Sequence, residues 1–94
     1  MTYLFDKTRV VAAKDQVSCD MAGEAAILNL TSGVYYGLNP IGARIWNLIQ
    51  EPKTLGEINE TILREYEVNT DRCEADVRAL LSQLAEQGLV EIAT

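Results

Sequence analysis

The spacing of the apolar residues changes at Asn39, from a period of two residues before it to a helical period after it. Residues 17–21 alternate apolar and polar side chains, which predicts a half-buried β-strand. Turn residues separate this segment from two more predicted strands, at residues 24–30 and 34–38. Because the three strands follow one another through short turns, the pattern predicts an antiparallel meander.

Three helices are predicted after the strands. Asn39-Pro40 suits the start of the first, with Asn39 as the cap and proline in the first turn. A capping-box pattern at Thr54–Glu57 starts the second, and the third starts near Thr70 or Asp71. The apolar stripes are Ile41, Ile45, Leu48 and Ile49 in the first helix, Leu55, Ile58, Ile62 and Tyr66 in the second, and Cys73, Val77, Leu80, Leu81 and Leu84 in the third.

The predicted order of elements is therefore β-β-β-α-α-α, an α+β fold. The last two helices, joined by the short segment 66–70, form a helix-turn-helix, and a three-stranded sheet attached to it makes a winged helix-turn-helix-like fold. Residues 1–94 are expected to form a single domain. Within it, residues 1–14 are predicted to be a loosely ordered or extended arm, and residues 89–92 to pack as a hydrophobic tail after Gly88.

A winged helix most often binds DNA, but the charge of this chain argues against nucleic acid as a partner. The net charge is −6 and the pI about 4.5, whereas phosphate binding requires a basic surface. In the third helix, Arg72 and Arg78 stand among the carboxylates of Glu74, Asp76 and Glu86. A DNA-binding regulator is therefore the weaker interpretation.

The beginning of the chain has no signal-peptide pattern, and no apolar run approaches the roughly 20 residues of a membrane-spanning helix. We therefore expect a cytoplasmic protein with no membrane partner. In that reducing compartment the two cysteines, Cys19 and Cys73, are expected to be free thiols.

The chain contains no histidine. This absence removes the Ser-His and Cys-His nucleophile pairs, most zinc sites and the commonest general base. Two cysteines alone cannot hold a zinc ion or an iron–sulfur cluster. The sequence thus predicts a protein that is not an enzyme and has no cofactor.

The strand at residues 34–38 has two interpretations. Tyr35 and Tyr36 are ordinary strand aromatics in one of them, because aromatic residues favour β-structure. In the other, this strand is an open sheet edge whose main-chain groups accept a peptide as a fourth strand. A proline at Val34 or Tyr36 would then remove an N–H that a peptide could use.

The chain resembles the PqqD-like family, whose members are recognition elements for ribosomally made, post-translationally modified peptides. The resemblance covers roughly residues 8–92 and depends on an ordered set of short matches. These matches are the run from Leu28 to Asn39, Gly42-Ala43, Ile45-Trp46, Asp76-Val77, Leu80-Leu81, Leu84 and Gly88-Leu89.

This resemblance implies the same winged-helix-like fold, with the leader segment of a precursor peptide bound antiparallel along the third strand. The leader would lie in a groove between that strand and the third helix. Carried over to this chain, the strand positions are Val34, Tyr35, Tyr36, Gly37 and Leu38, and the helix positions are Cys73, Asp76, Val77 and Leu80.

The resemblance also implies partners. Tyr35–Asn39 followed by Gly42–Trp46 looks most like the stand-alone recognition protein of lasso-peptide pathways, which works with a leader peptidase and a cyclase. Two alternatives are another stand-alone peptide-maturation element and PqqD itself, a peptide chaperone for a radical-SAM enzyme. The expected ligand is a leader peptide in each case.

Overall fold

The computed structural model describes residues 7–14, 16–21 and 24–93. Six strands and three helices lie in this part of the chain. In chain order they are β1 (Arg9–Ala12), β2 (Gln16–Met21), β3 (Glu24–Asn29), β4 (Tyr35–Leu38), α1 (Pro40–Leu48), β5 (Lys53–Thr54), α2 (Leu55–Glu65), α3 (Thr70–Glu86) and β6 (Val90–Ala93). The predicted α+β fold is confirmed, since an antiparallel sheet leads directly into three helices.

The predicted meander is the sheet β2–β3–β4, in which β4 forms one edge. Its β3–β4 hairpin is shorter than predicted, because Asn29 ends β3 and builds the turn. The side chain of Asn29 accepts hydrogen bonds from the N–H groups of Thr31 and Ser32, and Gly33 completes the turn with a φ of 74°. Val34 therefore lies just before β4, outside the regular strand.

A second three-stranded sheet, in the order β5–β1–β6, was not predicted. Its central strand comes from the segment predicted to be an arm, and β6 comes from the segment predicted to be a hydrophobic tail. Val10 pairs with Ile92 on one side and with Lys53 on the other. The prediction of three strands was therefore incomplete, because β1 finds its partners only after the helices bring distant segments beside it. The first six residues of the predicted arm lie outside the described residues.

Side-chain caps begin the three helices. Asn39 caps α1 by accepting from the Gly42 N–H at 2.8 Å, and α2 begins with the predicted capping box. For α3 the cap is Asn69, which accepts from the Arg72 N–H at 3.0 Å. The helix thus begins at Thr70, one of the two predicted starts.

The core lies where the two sheets and the three helices meet. Ile27 of β3, Ile49 after α1, Ile58 of α2 and Leu81 of α3 are fully buried there. Trp46 is only 2% exposed, so it belongs to the core. No helix in the described ranges is long and apolar enough to cross a membrane.

Candidate functional site

A groove of about 370 Å³ lies between β4 and α3. One wall comes from β4 and the start of α1, and the facing wall comes from α3. The lining residues are Tyr36, Gly37, Leu38, Asn39, Ile41, Gly42, Ile45, Ile62, Val68, Arg72, Cys73, Asp76, Val77 and Leu80.

The edge of β4 carries main-chain groups that β3 does not use. A hydrogen bond from the Asn29 N–H to the Val34 carbonyl oxygen, 3.0 Å long, sets the phase of the ladder. In an antiparallel strand, every second residue directs its main-chain N–H and C=O toward the partner strand. Val34 does so through its carbonyl, and therefore Tyr36 also directs its N–H and C=O toward β3. Tyr35 and Gly37 then direct theirs away from β3. This outward pair is the main-chain surface that an added strand would meet.

The alternation of inward and outward N–H groups also determines at which positions a proline would remove an N–H that a peptide could use. The Tyr36 N–H belongs to the ladder with β3, and the Val34 N–H donates to the Ser32 hydroxyl at 3.3 Å. The expectation that proline at Val34 or Tyr36 would remove an N–H available to a peptide was therefore wrong. Tyr35 and Gly37 are the positions for such a test.

The α3 wall is apolar at its base and charged at its rim. Cys73 and Val77 are buried, and Leu80 is half-buried against the core. At the rim, Arg72 and Asp76 are exposed and form an i, i+4 ion pair with an N–O distance of 3.4 Å. An apolar side chain could therefore enter the groove while a polar or charged neighbour stays near the rim.

Cys73 is held as a neutral thiol in this wall. Burial raises the pKa of the thiol, and the nearby carboxylates of Asp76 and Glu74 raise it further. Both cysteines are free, as predicted, with Cys19 exposed on β2. The chemistry of Cys73 is thus that of a small apolar side chain.

One side-chain hydrogen bond connects the two walls. The Tyr36 hydroxyl donates to Oε1 of Gln83 on α3. Gln83 lies one helical turn beyond Leu80, and α3 contributes no lining residue beyond Leu80. The bond therefore stands at the end of the groove.

Seven of the nine predicted site residues line this groove. They are Tyr36, Gly37, Leu38, Cys73, Asp76, Val77 and Leu80. The other two, Val34 and Tyr35, do not. Tyr35 is 71% exposed on the opposite face of the sheet, where it pairs with Leu28, and Val34 precedes the strand.

Other lining residues were not predicted. Asn39, Ile41, Gly42 and Ile45 belong to the junction with α1, Ile62 and Val68 to the second helix and the turn after it, and Arg72 to the first turn of α3. The apolar stripes already contained the isoleucines, but a stripe gives only the buried face of its own helix. Which neighbouring element that face meets follows from the packing.

A shallower depression of about 400 Å³ lies around Gly37 and Cys19, and it shares only part of β4 and Asn39 with the groove. Its strand positions carry small side chains, with Cys19 paired to Ala26 and Ala26 paired to Gly37. Among the described residues, no group of three or more Cys, Asp or Glu side chains is arranged to hold a metal ion.

A comparison with known protein families identifies the family of this chain. The sequence model described as "Coenzyme PQQ synthesis protein D (PqqD)" matches residues 24–90, which is more than half of the chain. No curated protein matches the chain.

Two solved structures share the fold. One, described as "TbiB1 in Complex with the TbiA(beta) Leader Peptide", is 37% identical, with a TM-score of 0.79 over 86% of this chain and 94% of that one. The other, described as "Lasso peptide synthetase B1 complexed with the leader peptide", is 23% identical, with a TM-score of 0.76 over 87% of this chain and 96% of that one. At its lower identity the second likeness concerns the fold alone.

Proposed function

Because this chain belongs to the PqqD family, we propose that it binds the leader segment of a ribosomally made precursor peptide as an added strand beside β4. The pathway we propose is lasso-peptide biosynthesis, in which the bound precursor is delivered to a leader peptidase and then to a cyclase. The role is one of binding and delivery, with no chemical step of its own.

One observation carries this proposal: an open strand edge lies directly beside an apolar groove. The outward main-chain groups of Tyr35 and Gly37 would supply hydrogen bonds that do not depend on the sequence of the peptide. The groove would supply selectivity, because alternate side chains of an added strand point into it. The leader peptide bound by the 37% identical relative supports the same type of ligand.

The proposed roles of the wall residues follow from their exposure. Leu80, which is half-buried, would contact an apolar leader side chain, and the buried Val77 and Cys73 would close the base of the groove. Asp76 would bind a cation or N–H of the leader at the rim, after exchanging its ion pair with Arg72. The exchange should cost little free energy, because an exposed ion pair of this kind stabilises the helix by only about 0.3–0.5 kcal/mol.

Delivery would work through effective concentration. A precursor held by its leader keeps its core segment near any enzyme that binds the same protein, which raises the local substrate concentration toward millimolar. The partners we propose are therefore the precursor, the leader peptidase and the lasso cyclase.

A second candidate is a peptide chaperone for a radical-SAM enzyme, because the matching family is described by coenzyme PQQ synthesis. The two candidates share the groove and differ in the partner enzyme. The neighbouring genes separate them: a small peptidase with an asparagine-synthetase-like protein indicates the lasso pathway, and a radical-SAM enzyme indicates the alternative.

A fluorescence-polarisation titration tests leader binding. The probe is the fluorescein-labelled leader of the precursor encoded beside this gene, and the variants are Tyr35→Pro and Gly37→Pro. An edge strand tolerates proline at a position where the replaced residue's N–H faces solvent, so each variant should fold. Each should bind the leader at least about fivefold more weakly, because one lost hydrogen bond costs about 1 kcal/mol.

Ser18→Pro is the matched control. Ser18 lies on β2, the opposite edge of the same sheet, and alternation directs its N–H away from β3. This variant should bind like the unmodified protein. If both β4 prolines leave the affinity unchanged while circular dichroism shows an intact fold, strand addition on β4 is wrong.

A further inference from the structure

Strand addition by itself leaves the register of the bound peptide undefined. Main-chain hydrogen bonds are the same at every second residue, so a peptide that slides by two residues keeps the same bonds and the same side-chain faces. A recognition protein therefore needs a side-chain feature that stops the sliding. The groove beside β4 has such a feature at one end.

The groove is short, and one of its two ends is closed. Along α3 its lining runs from Arg72 to Leu80, about 12 Å at about 1.5 Å per residue. An extended peptide of three to four residues covers that length at about 3.3 Å per residue. One turn further along α3, Gln83 accepts the hydrogen bond from the Tyr36 hydroxyl.

This bond joins the strand to the helix across the groove. Tyr36 is half-buried, and its ring packs against the hydrophobic core. Gln83 is exposed and lies on the same ridge of α3 as Asp76 and Leu80, at spacings of three and four residues. A side chain that entered between Arg72 and Leu80 would meet the Tyr36 ring and the Gln83 amide if it moved further along the groove.

We propose that the hydrogen bond between Tyr36 and Gln83 is an end wall that sets the register of the bound leader peptide. Gln83 is a positioning residue: it holds the Tyr36 ring across the groove and thereby excludes a bulky peptide side chain beyond the last accepted position. This inference rests on the proposed function, because it concerns the peptide bound beside β4.

A peptide selected from a random library provides the probe. Random 12-residue peptides are selected by mRNA display on the unmodified protein, and the strongest binder is synthesised with a fluorophore. Each of its positions is then replaced by tryptophan. We expect one groove-facing position, at the end next to Tyr36, to lose at least tenfold in affinity on replacement by tryptophan.

Variants of Tyr36 and Gln83 test the inference. In Gln83→Ala and in Tyr36→Phe the tryptophan penalty at that one position should fall below threefold, because the ring is no longer held across the groove. Gln83→Glu retains an acceptor oxygen for the tyrosine hydroxyl and should keep the penalty. Glu86→Ala, which truncates another exposed side chain one turn further along α3, should keep it as well.

The outcomes separate the two proposals. If Gln83→Ala and Tyr36→Phe both keep the full tryptophan penalty, while the peptide still loses affinity with Gly37→Pro, the end wall is wrong and strand addition stands. If the library yields no peptide that binds the unmodified protein, or if neither Tyr35→Pro nor Gly37→Pro weakens binding, the leader-binding proposal fails and the end wall fails with it. Circular dichroism and urea midpoints verify that each variant is folded.

Discussion

Asn29 and Gln87, which are 58 positions apart in the chain, are joined by a 2.7 Å hydrogen bond from the Asn29 side-chain amide to the Gln87 carbonyl oxygen. The same side chain accepts the N–H groups of Thr31 and Ser32 through its oxygen, at 2.9 and 3.2 Å. A single buried amide thus connects the β3–β4 turn to the end of α3. This connection bears on both walls of the groove, since β4 follows the turn and Gln87 is the C-cap of α3.

Asn29→Ala should lower the free energy of unfolding by about 2 kcal/mol, because it removes three part-buried hydrogen bonds, one to the Gln87 carbonyl and two from the turn N–H groups. Urea unfolding followed by circular dichroism measures the change. Asn29→Asp keeps the acceptor oxygen but loses the donor, so it should also be destabilised at neutral pH. Unchanged urea midpoints in both variants would contradict this role for Asn29.

The glycines on either side of the strand–helix junction should respond differently to alanine. A Cβ at Gly42 would lie 3.2 Å from the Asn39 side-chain oxygen and 3.3 Å from Leu38, whereas a Cβ at Gly37 would meet nothing within 4 Å. Gly42→Ala should therefore cost about 1–2 kcal/mol of stability through overpacking at the cap. Gly37→Ala should stay within about 0.5 kcal/mol of the unmodified protein. Equal urea midpoints for the two variants would contradict this difference.

Leu80 and Leu81 are neighbours in sequence with different expected roles. Leu81 is fully buried, so Leu81→Ala should cost about 3 kcal/mol of stability. Leu80 lines the groove and is half-buried, so Leu80→Ala should weaken leader binding about tenfold, equal to about 1.4 kcal/mol, with a smaller loss of stability. Fluorescence polarisation and urea unfolding on the same samples separate the two effects. An unchanged affinity in Leu80→Ala would argue against this groove as the binding site.

Two carboxylates, those of Glu57 and Glu65, should make the free energy of unfolding depend on pH in the acidic range. Hydrogen bonds from the Thr54 main chain and hydroxyl lower the pKa of Glu57, and a hydrogen bond from Arg44 lowers the pKa of Glu65. A lowered folded-state pKa means that the unfolded chain binds protons first as the pH falls. Their stabilisation is therefore present above the unfolded value, about 4.3, and is lost as the pH falls through the folded values.

Glu57→Gln and Glu65→Gln should each flatten the acid limb of the stability curve between pH 5 and pH 3. Urea midpoints across this range measure the effect. Glu86→Gln, at the exposed end of α3, is the matched carboxyl-to-amide control and should retain the slope of the unmodified protein. A slope that stays the same in both test variants would rule out these two residues as its source.

The two cysteines should differ in reactivity. Cys19 is exposed, whereas burial and the neighbouring carboxylates raise the pKa of Cys73. Because the thiolate is the reactive form, iodoacetamide at pH 7.5 should modify Cys19 quickly and Cys73 slowly, as judged by peptide mass spectrometry. Cys19→Ser leaves Cys73 alone for a rate measurement. Equal rates for the two thiols in the unmodified protein would contradict the burial of Cys73 in the groove wall.

Much of the candidate groove could be predicted from short sequence patterns. Asn39-Pro40 marked the point where β4 leads into α1, and the third-helix stripe contained Cys73, Val77 and Leu80. The resemblance to a known family added Asp76. The alternation of the strand placed Tyr35 and Tyr36 on opposite faces, but it did not state which of the two faces meets the helices. Gln83 was also absent from the predicted site, since its partner lies 47 positions earlier.

Local sequence by itself determined where the helices and the meander form, because capping, turn geometry and apolar spacing act within a few residues of the chain. The tertiary structure alone decided the second sheet, in which residues 9–12 pair with residues 90–93. It also decided which ridge of α3 faces β4 and which main-chain groups of β4 stay open. Apolar spacing states only that a face must be buried. Its partner is set by how all the elements pack together, and the hydrogen bonds from Asn29 to Gln87 and from Tyr36 to Gln83 form only in that packing.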